Sequence, residues 1–114
     1  MKTKTFKPNT LAEIDRFFKE HEKLLPQREN ILKAIGAVIA CFQGGGKLLL
    51  AGNGGSSADC DHIAGELMKA FKSKRRLSEE FAEKAERLYG EEGKYIAGNL
   101  ERGLPAVSLT RKSL

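Results

Sequence analysis

The chain has 114 residues, of which 40% are apolar and 31% charged, and its net charge is +5. This length allows one modest hydrophobic core, and the apolar fraction is typical of a globular protein rather than a disordered or fibrous one. A positive charge of this size is common among ordinary proteins, so it identifies neither nucleic acid nor any other partner.

The sequence has no targeting or membrane pattern. The N-terminal stretch MKTKTFKPNTLAEIDRF has lysines but lacks the apolar block of roughly 7 to 15 residues that a secretory signal needs. No apolar run approaches the roughly 20 residues of a membrane helix. Cys41 and Cys60 have no CxxC spacing, which fits a reducing compartment. We therefore expect a cytoplasmic protein with reduced cysteines and no membrane partner.

Two helices are predicted ahead of the first strand. Thr10 and Glu13 have the spacing of a capping box, and apolar residues then recur at helical spacing as far as Leu25. Pro26 suits the first turn of a second helix, in which apolar or small positions continue to Phe42. These positions cover much of the second helix, so we expect it to pack both on a sheet and on another helix, which a second subunit could supply.

A parallel α/β sheet is predicted for the remainder of the chain. Residues 48–51 and 105–109 are short apolar runs, and the first is continuous, as in a strand covered on both faces. Three glycines at 44–46 end the preceding helix. Between the strands we expect a helix that reaches about residue 72, followed by one or two helical segments with Ser78 as N-cap.

The main basic run has one aromatic neighbour for base stacking, Phe71, and comprises Lys69, Lys72, Lys74, Arg75 and Arg76. We favour a solvated helix end, whose cations face the negative end of the helix dipole, over a nucleic-acid surface. Nucleic acid is therefore not an expected partner.

The stretch GNGGSSAD, residues 52–59, turns from the first strand into a helix. Its glycines let an anion approach the main chain, while Asn53, Ser56 and Ser57 add side-chain hydrogen bonds beside the free N–H groups of the helix. It is neither a G-x-G-x-x-G fingerprint, because position 57 is serine, nor a Walker loop. The alternative is a structural turn in which Ser56 caps the helix.

His62 and Glu66 are four residues apart on that helix, so an imidazole and a carboxylate share one face. They could converge on a metal ion or a substrate, or they could form an ordinary helix-surface pair. Asp59, three residues before His62, could orient the imidazole or complement the helix dipole. Their position beyond the carboxyl end of a parallel strand is where open α/β sheets bind ligands.

The stretch GNGGSSADCDHIAGEL, residues 52–67, is similar to the signature of the SIS (sugar isomerase) domain family and, within it, of the phosphoheptose isomerases. Those enzymes carry G-N-G-G-S followed by D-x-x-H-x-x-x-E. The resemblance extends over the two leading helices, and LPAVSLT, residues 104–110, resembles the family's second strand.

The resemblance implies a parallel sheet flanked by helices and a homotetramer. It also implies isomerisation of sedoheptulose 7-phosphate to D-glycero-D-manno-heptose 7-phosphate. The residues that match the family's sugar-phosphate loop are Asn53, Gly54, Gly55 and Ser56. His62 and Glu66 match its zinc ligands, and Glu66 also matches the proposed catalytic base.

We expect residues 1–114 to form one SIS-like domain that is incomplete at its C-terminus, with a helical pair at 10–43 and the start of the α/β unit at 47–114. The expected portion contains two N-terminal helices and about two parallel strands. The family's second, serine-rich phosphate loop and its last ligand-bearing helix lie beyond the portion that the chain matches. Two other readings stay open: a non-catalytic SIS module that binds a phosphosugar or a protein, and a helical interaction domain with a purely structural glycine turn.

Overall fold

The structure is a computed structural model that describes residues 6–69 and 74–110. The elements, in chain order, are α1 (Pro8–Glu20), a 3-10 helix (Glu22–Gln27), α2 (Arg28–Gln43), β1 (Leu48–Leu50), α3 (Gly55–Met68), α4 (Glu79–Asn99) and β2 (Ala106–Ser108). The chain divides into two compact units between Gly45 and Gly46. That both units belong to one domain stays a prediction. None of the described helices has the length and apolar character needed to span a membrane.

The first unit is helical and closes around two side chains of α1. Ile14 and Phe18 are one turn apart on the same face and are almost fully buried. The guanidinium carbon of Arg28, the first residue of α2, lies 4.9 Å from the centre of the Phe18 ring. Arg28 also donates a hydrogen bond of 3.3 Å from Nη2 to Asp15 Oδ1. A cation stacked on an aromatic ring and paired with a carboxylate thus joins α1 to the start of α2.

The predicted boundaries of the first two helices were wrong, and a proline explains the first difference. Thr10 lies inside α1, whose N-cap is Lys7 and whose first residue is Pro8, so there is no capping box. Proline's fixed φ suits a first helical position and begins the helix earlier. Leu25 and Pro26 lie in the 3-10 helix rather than in α1 or α2. α1 has already ended at His21, whose φ of −128° and ψ of 59° lie outside the helical region, so the two α-helices separate well before Pro26.

The second unit contains the predicted parallel sheet. Leu48, Leu49 and Leu50 pair with Ala106, Val107 and Ser108 in parallel register. α3 packs against β2, and the small core there contains Cys60, Ala64 and Ala106, all buried. The mixed α/β class and the parallel pairing are confirmed. Among the described residues, Cys41 and Cys60 form no disulfide.

The expectation that the first strand is covered on both faces was wrong. Leu49 is 55% exposed and its partner Val107 is 45% exposed. Side chains alternate along a strand, so these two lie on the opposite face from Ala106, which faces the core. The apolar run therefore has one covered face and one open face in this structure.

The helix α4, which lies between α3 and β2 in the sequence, folds back on itself. Ser78 Oγ accepts a 3.2 Å hydrogen bond from the Phe81 amide, which confirms the predicted N-cap. Within α4, Gly90 has φ 58° and ψ −135° and separates two helical segments. The second segment returns so close to the first that a Cβ on Gly93 would overlap the Ala85 carbonyl. The prediction of one or two helical segments here is confirmed as two segments joined at Gly90.

Candidate functional site

The turn from β1 into α3 is built from main-chain hydrogen bonds. Gly54 is the N-cap of α3 and has φ 56°, a conformation that glycine adopts without a steric cost. The Ser56 amide donates to the Asn53 carbonyl at 3.0 Å, and the Ser57 amide donates to the Gly54 carbonyl at 3.1 Å. Ser56 lies in the first turn of α3, and no side chain caps this helix, so the predicted alternative in which Ser56 is the cap was wrong.

The turn also folds tightly against the first turn of α3. A Cβ placed on Gly52 would lie 2.7 Å from Ser56 Cβ and 2.8 Å from the Ser56 carbonyl carbon. The four residues predicted to bind a sugar phosphate, Asn53, Gly54, Gly55 and Ser56, are all exposed. The Ser56 and Ser57 amides already donate within the turn, but the exposed glycine backbone and the positive end of the helix dipole still make this N-terminus a favourable position for an anion.

His62 and Glu66 lie side by side on α3. His62 Nε2 is 2.9 Å from Glu66 Oε1, and their side chains are 76% and 39% exposed. A ligand can therefore reach both polar groups. Among the described residues, no hydrogen bond joins Asp59 to His62, so the contact of the imidazole is with Glu66 rather than with the predicted orienting carboxylate.

The donor chemistry of this pair matches half of a zinc site. Imidazole nitrogen and carboxylate oxygen are both zinc ligands, but protein zinc sites generally use three or four protein groups. Over residues 6–69 and 74–110, no cluster of three or more His, Cys, Asp or Glu side chains is placed to hold a metal. His62 and Glu66 could supply two ligands, and any others would come from outside the described residues.

Thr110 is a residue near the site that the sequence interpretation missed. Its Oγ1 donates a 3.1 Å hydrogen bond to Asp61 Oδ1 on α3. Thr110 follows β2 by two residues, at the edge of the sheet where β1 leads into the glycine turn. The available signal was a hydroxyl residue just past a parallel strand, at the edge where such sheets bind ligands.

The opposite end of α3 is held by Arg75. Its Nη2 donates to the Leu67 carbonyl at 2.6 Å and approaches the Glu66 carbonyl at 3.4 Å. A cation at a helix C-terminus is favoured by the helix dipole and by the unpaired carbonyls there. This contact supports the interpretation of the basic run as a helix-end feature. Lys72 lies outside the described residues.

Comparison with known proteins gives a consistent result. A family model described as the SIS domain matches residues 11–103. A phosphoheptose isomerase of Campylobacter jejuni serotype O:6 is 37% identical over 67 residues, which is 55% of this chain and 36% of that protein. A phosphoheptose isomerase of Burkholderia pseudomallei strain 1710b is 44% identical over 70 residues, 59% of this chain and 34% of that protein.

The matched region covers only part of the length of each relative. A phosphoheptose isomerase of Geobacter metallireducens is 51% identical over 41 residues, 36% of this chain and 22% of that protein. The matched part of the chain thus spans about a third or less of the length of these relatives. No solved structure matches the chain significantly. Because the family model covers most of the chain and includes both the glycine turn and α3, the chain belongs to the SIS domain family.

Proposed function

We propose that this chain is part of a sugar-phosphate isomerase of the phosphoheptose type, which interconverts sedoheptulose 7-phosphate and D-glycero-D-manno-heptose 7-phosphate. The observation that carries the proposal is the 2.9 Å contact of His62 and Glu66 on the helix that begins at the glycine turn. The similarity of the chain to phosphoheptose isomerases supports the same reaction class.

The glycine turn is the proposed phosphate site. Its residues 53–56 are exposed, and they surround the N-terminus of α3, where main-chain N–H groups and the helix dipole favour negative charge. The Asn53 and Ser56 side chains can add hydrogen bonds to phosphate oxygens. Holding the anionic end of the sugar at this turn directs the rest of the molecule along the outside of α3.

Glu66 is the proposed base. An aldose–ketose interconversion needs a group that removes a proton from the carbon beside the carbonyl and returns it to the former carbonyl carbon. The hydroxyl proton on the first carbon moves to the carbonyl oxygen, so the atoms of the sugar balance. The Glu66 carboxylate is partly exposed and can reach a substrate, while the contact with His62 Nε2 holds one of its oxygens in place.

We further propose that His62 and Glu66 are two of the ligands of one zinc ion, which would take the place of their direct contact, and that a homotetramer in the cytoplasm is the working form. Zinc, when bound, would polarise the substrate carbonyl. The described residues offer two zinc donors at this site. A second subunit, or a part of the chain outside the described residues, would supply the others.

The substitution Glu66→Gln tests the proposal, with Glu83→Gln on the exposed surface of α4 as the matched control. Glutamine keeps the shape of the side chain but cannot take a proton, so we expect kcat for sedoheptulose 7-phosphate to fall by about 10²- to 10⁴-fold. We expect phosphosugar affinity, measured by calorimetry, to stay within about threefold, because the phosphate site is at the other end of the helix. Wild-type turnover in Glu66→Gln would contradict the proposed role of Glu66.

A second candidate is a non-catalytic SIS module that binds a phosphosugar or a protein. It is favoured by one observation, namely that the described residues bring together two zinc donors rather than three or four. Saturable phosphosugar binding by the wild-type chain, without turnover when zinc is supplied, would support this candidate over the isomerase.

A further inference from the structure

We propose that Arg75 is a positioning residue for Glu66, an inference that rests on the proposed function. Arg75 was not among the predicted ligands. Its side chain lies at the C-terminal end of α3, away from the glycine turn at the N-terminal end. Its contacts with α3 are with the backbone of the turn that carries Glu66, so it would act through Glu66 and not by touching the substrate.

The need for such a residue comes from where Glu66 lies in α3. The helix ends at Met68, and its final main-chain hydrogen bond runs from the Lys69 amide to the Gly65 carbonyl. The carbonyls of Glu66 and Leu67 come after that bond, and within residues 6–69 and 74–110 they have no helical donor. The last turn of a helix is also the part that frays first.

Two donors from other segments cover this helix end. The Arg75 guanidinium donates to the Leu67 carbonyl at 2.6 Å and lies 3.4 Å from the Glu66 carbonyl. The Leu104 amide donates to the same Leu67 carbonyl at 2.8 Å. The carbonyl oxygen therefore accepts two hydrogen bonds, one of them from a charged group, which is the stronger type.

Arg75 is itself held by the segment that leads into β2. Its Nε donates to the Arg102 carbonyl at 2.9 Å, and the Arg102 amide donates to the Arg75 carbonyl at 2.7 Å. The adjacent residues Arg76 and Glu101 form an antiparallel bridge. The half-buried guanidinium is thus fixed by short main-chain contacts and connects the last turn of α3 to the approach to β2.

The consequence is a defined position for the Glu66 carboxylate. Displacing a catalytic group by about 1 Å can lower a rate by about 10²-fold, because the reacting atoms no longer meet at the required geometry. Loss of the Arg75 contacts would release the last turn of α3, and Glu66 would move relative to His62, which lies one turn deeper in the helix. The phosphate site at the first turn would be unaffected.

The test compares Arg75→Ala and Arg75→Lys with Arg76→Ala, which removes the same charge from an exposed neighbour. In Arg75→Ala we expect kcat to fall by about 10- to 100-fold while KM stays within about threefold. Arg75→Lys should recover part of the loss, because an ammonium can donate to one of the carbonyls but lacks the planar fork. Arg76→Ala should behave as the wild type.

A second measurement needs no turnover. The nuclear Overhauser contact between the His62 ring and the Glu66 side chain should weaken in Arg75→Ala, and amide exchange of Lys69 and Leu104 should become roughly tenfold faster or more. Both should stay unchanged in Arg76→Ala. If Arg75→Ala keeps the wild-type contact, exchange and kcat, the inference is overturned.

The failure of this inference and the failure of the proposed function give different results. Normal kcat in Arg75→Ala together with an inactive Glu66→Gln would overturn the role of Arg75 and leave the isomerase intact. A wild-type chain without turnover under any condition would overturn the isomerase, and the His62–Glu66 contact would then decide whether Arg75 positions Glu66.

Discussion

Gly52 and Gly55 lie three residues apart in the same turn but have very different surroundings. A Cβ on Gly52 would press against the main chain of Ser56 at 2.8 Å, whereas a Cβ on Gly55 would meet nothing within 4 Å. Glycine at position 52 is therefore required by the close approach of Ser56, whereas glycine at position 55 leaves its backbone open to a ligand. The same sequence pattern thus contains two different reasons for glycine.

Gly52→Ala should destabilise the chain because the turn must open to admit the methyl group. We expect a loss of about 1 to 3 kcal/mol in the free energy of unfolding, the usual range for overpacking. Urea unfolding followed by circular dichroism would measure it. Gly55→Ala is the matched control, and because alanine is the better helix former it should be neutral or gain up to about 1 kcal/mol. Equal stability of the two variants would contradict the close approach at Gly52.

The spacing of residues in the sequence predicts contacts within one helix of the site, but it does not predict contacts between distant parts of the chain. The spacing of His62 and Glu66 predicts a shared helix face because helical periodicity is local, and the two side chains do lie 2.9 Å apart. The hydrogen bond from Thr110 to Asp61 joins residues that are far apart in sequence. The same is true of the Arg75 contact with Arg102. No periodic pattern encodes such a pair, since it depends on how the strands are brought together.

Among the elements, α4 depends most on one backbone conformation. Gly90, with φ 58° and ψ −135°, reverses the helix in a region that residues with a side chain rarely enter. Gly93 then allows the returning segment to touch Ala85. The sequence of this region predicted helices correctly but could not locate the reversal, because glycine also occurs at Gly98 within the second segment, with open space around it.

Gly90→Ala should cost about 1 to 3 kcal/mol of unfolding free energy, because alanine is strained in this conformation. Gly98→Ala, in the second helical segment of α4, should instead gain about 0.5 to 1 kcal/mol. Chemical denaturation of both variants would measure the difference. If the two substitutions changed stability in the same direction, the reversal at Gly90 would be contradicted.

The first two helices show where local patterns mislead. Thr10 and Glu13 match a capping box, but Pro8 begins α1 two residues earlier. The apolar period continues through Leu25, although the chain has already changed to a 3-10 helix. Apolar periodicity indicates which side chains can be buried. It is a weaker guide to whether the backbone forms the hydrogen bonds of an α-helix or those of a 3-10 helix.

For the molecule as a whole, a bound sugar phosphate should stabilise the fold. A ligand present at about 100 times its Kd adds about 2.7 kcal/mol to the free energy of unfolding if it binds only the folded state. Thermal unfolding with sedoheptulose 7-phosphate would measure this as a rise in Tm. Sedoheptulose without the phosphate is the control and should give a much smaller rise, because the proposed turn recognises the anion. Equal rises for the two sugars would argue against that turn as the phosphate site.

The order of the elements also affects how the chain is made. Within the part of the chain that the structure describes, β1 pairs with β2, and all of α3 and α4 lie between them in the sequence. During synthesis on the ribosome, three consecutive leucines therefore emerge well before their partner strand exists. In this interval both edges of β1 are open to strands of other nascent chains, a known route to aggregation. A translational pause within α4 would lengthen this exposure, so we expect the yield of folded protein to depend on elongation speed across that helix.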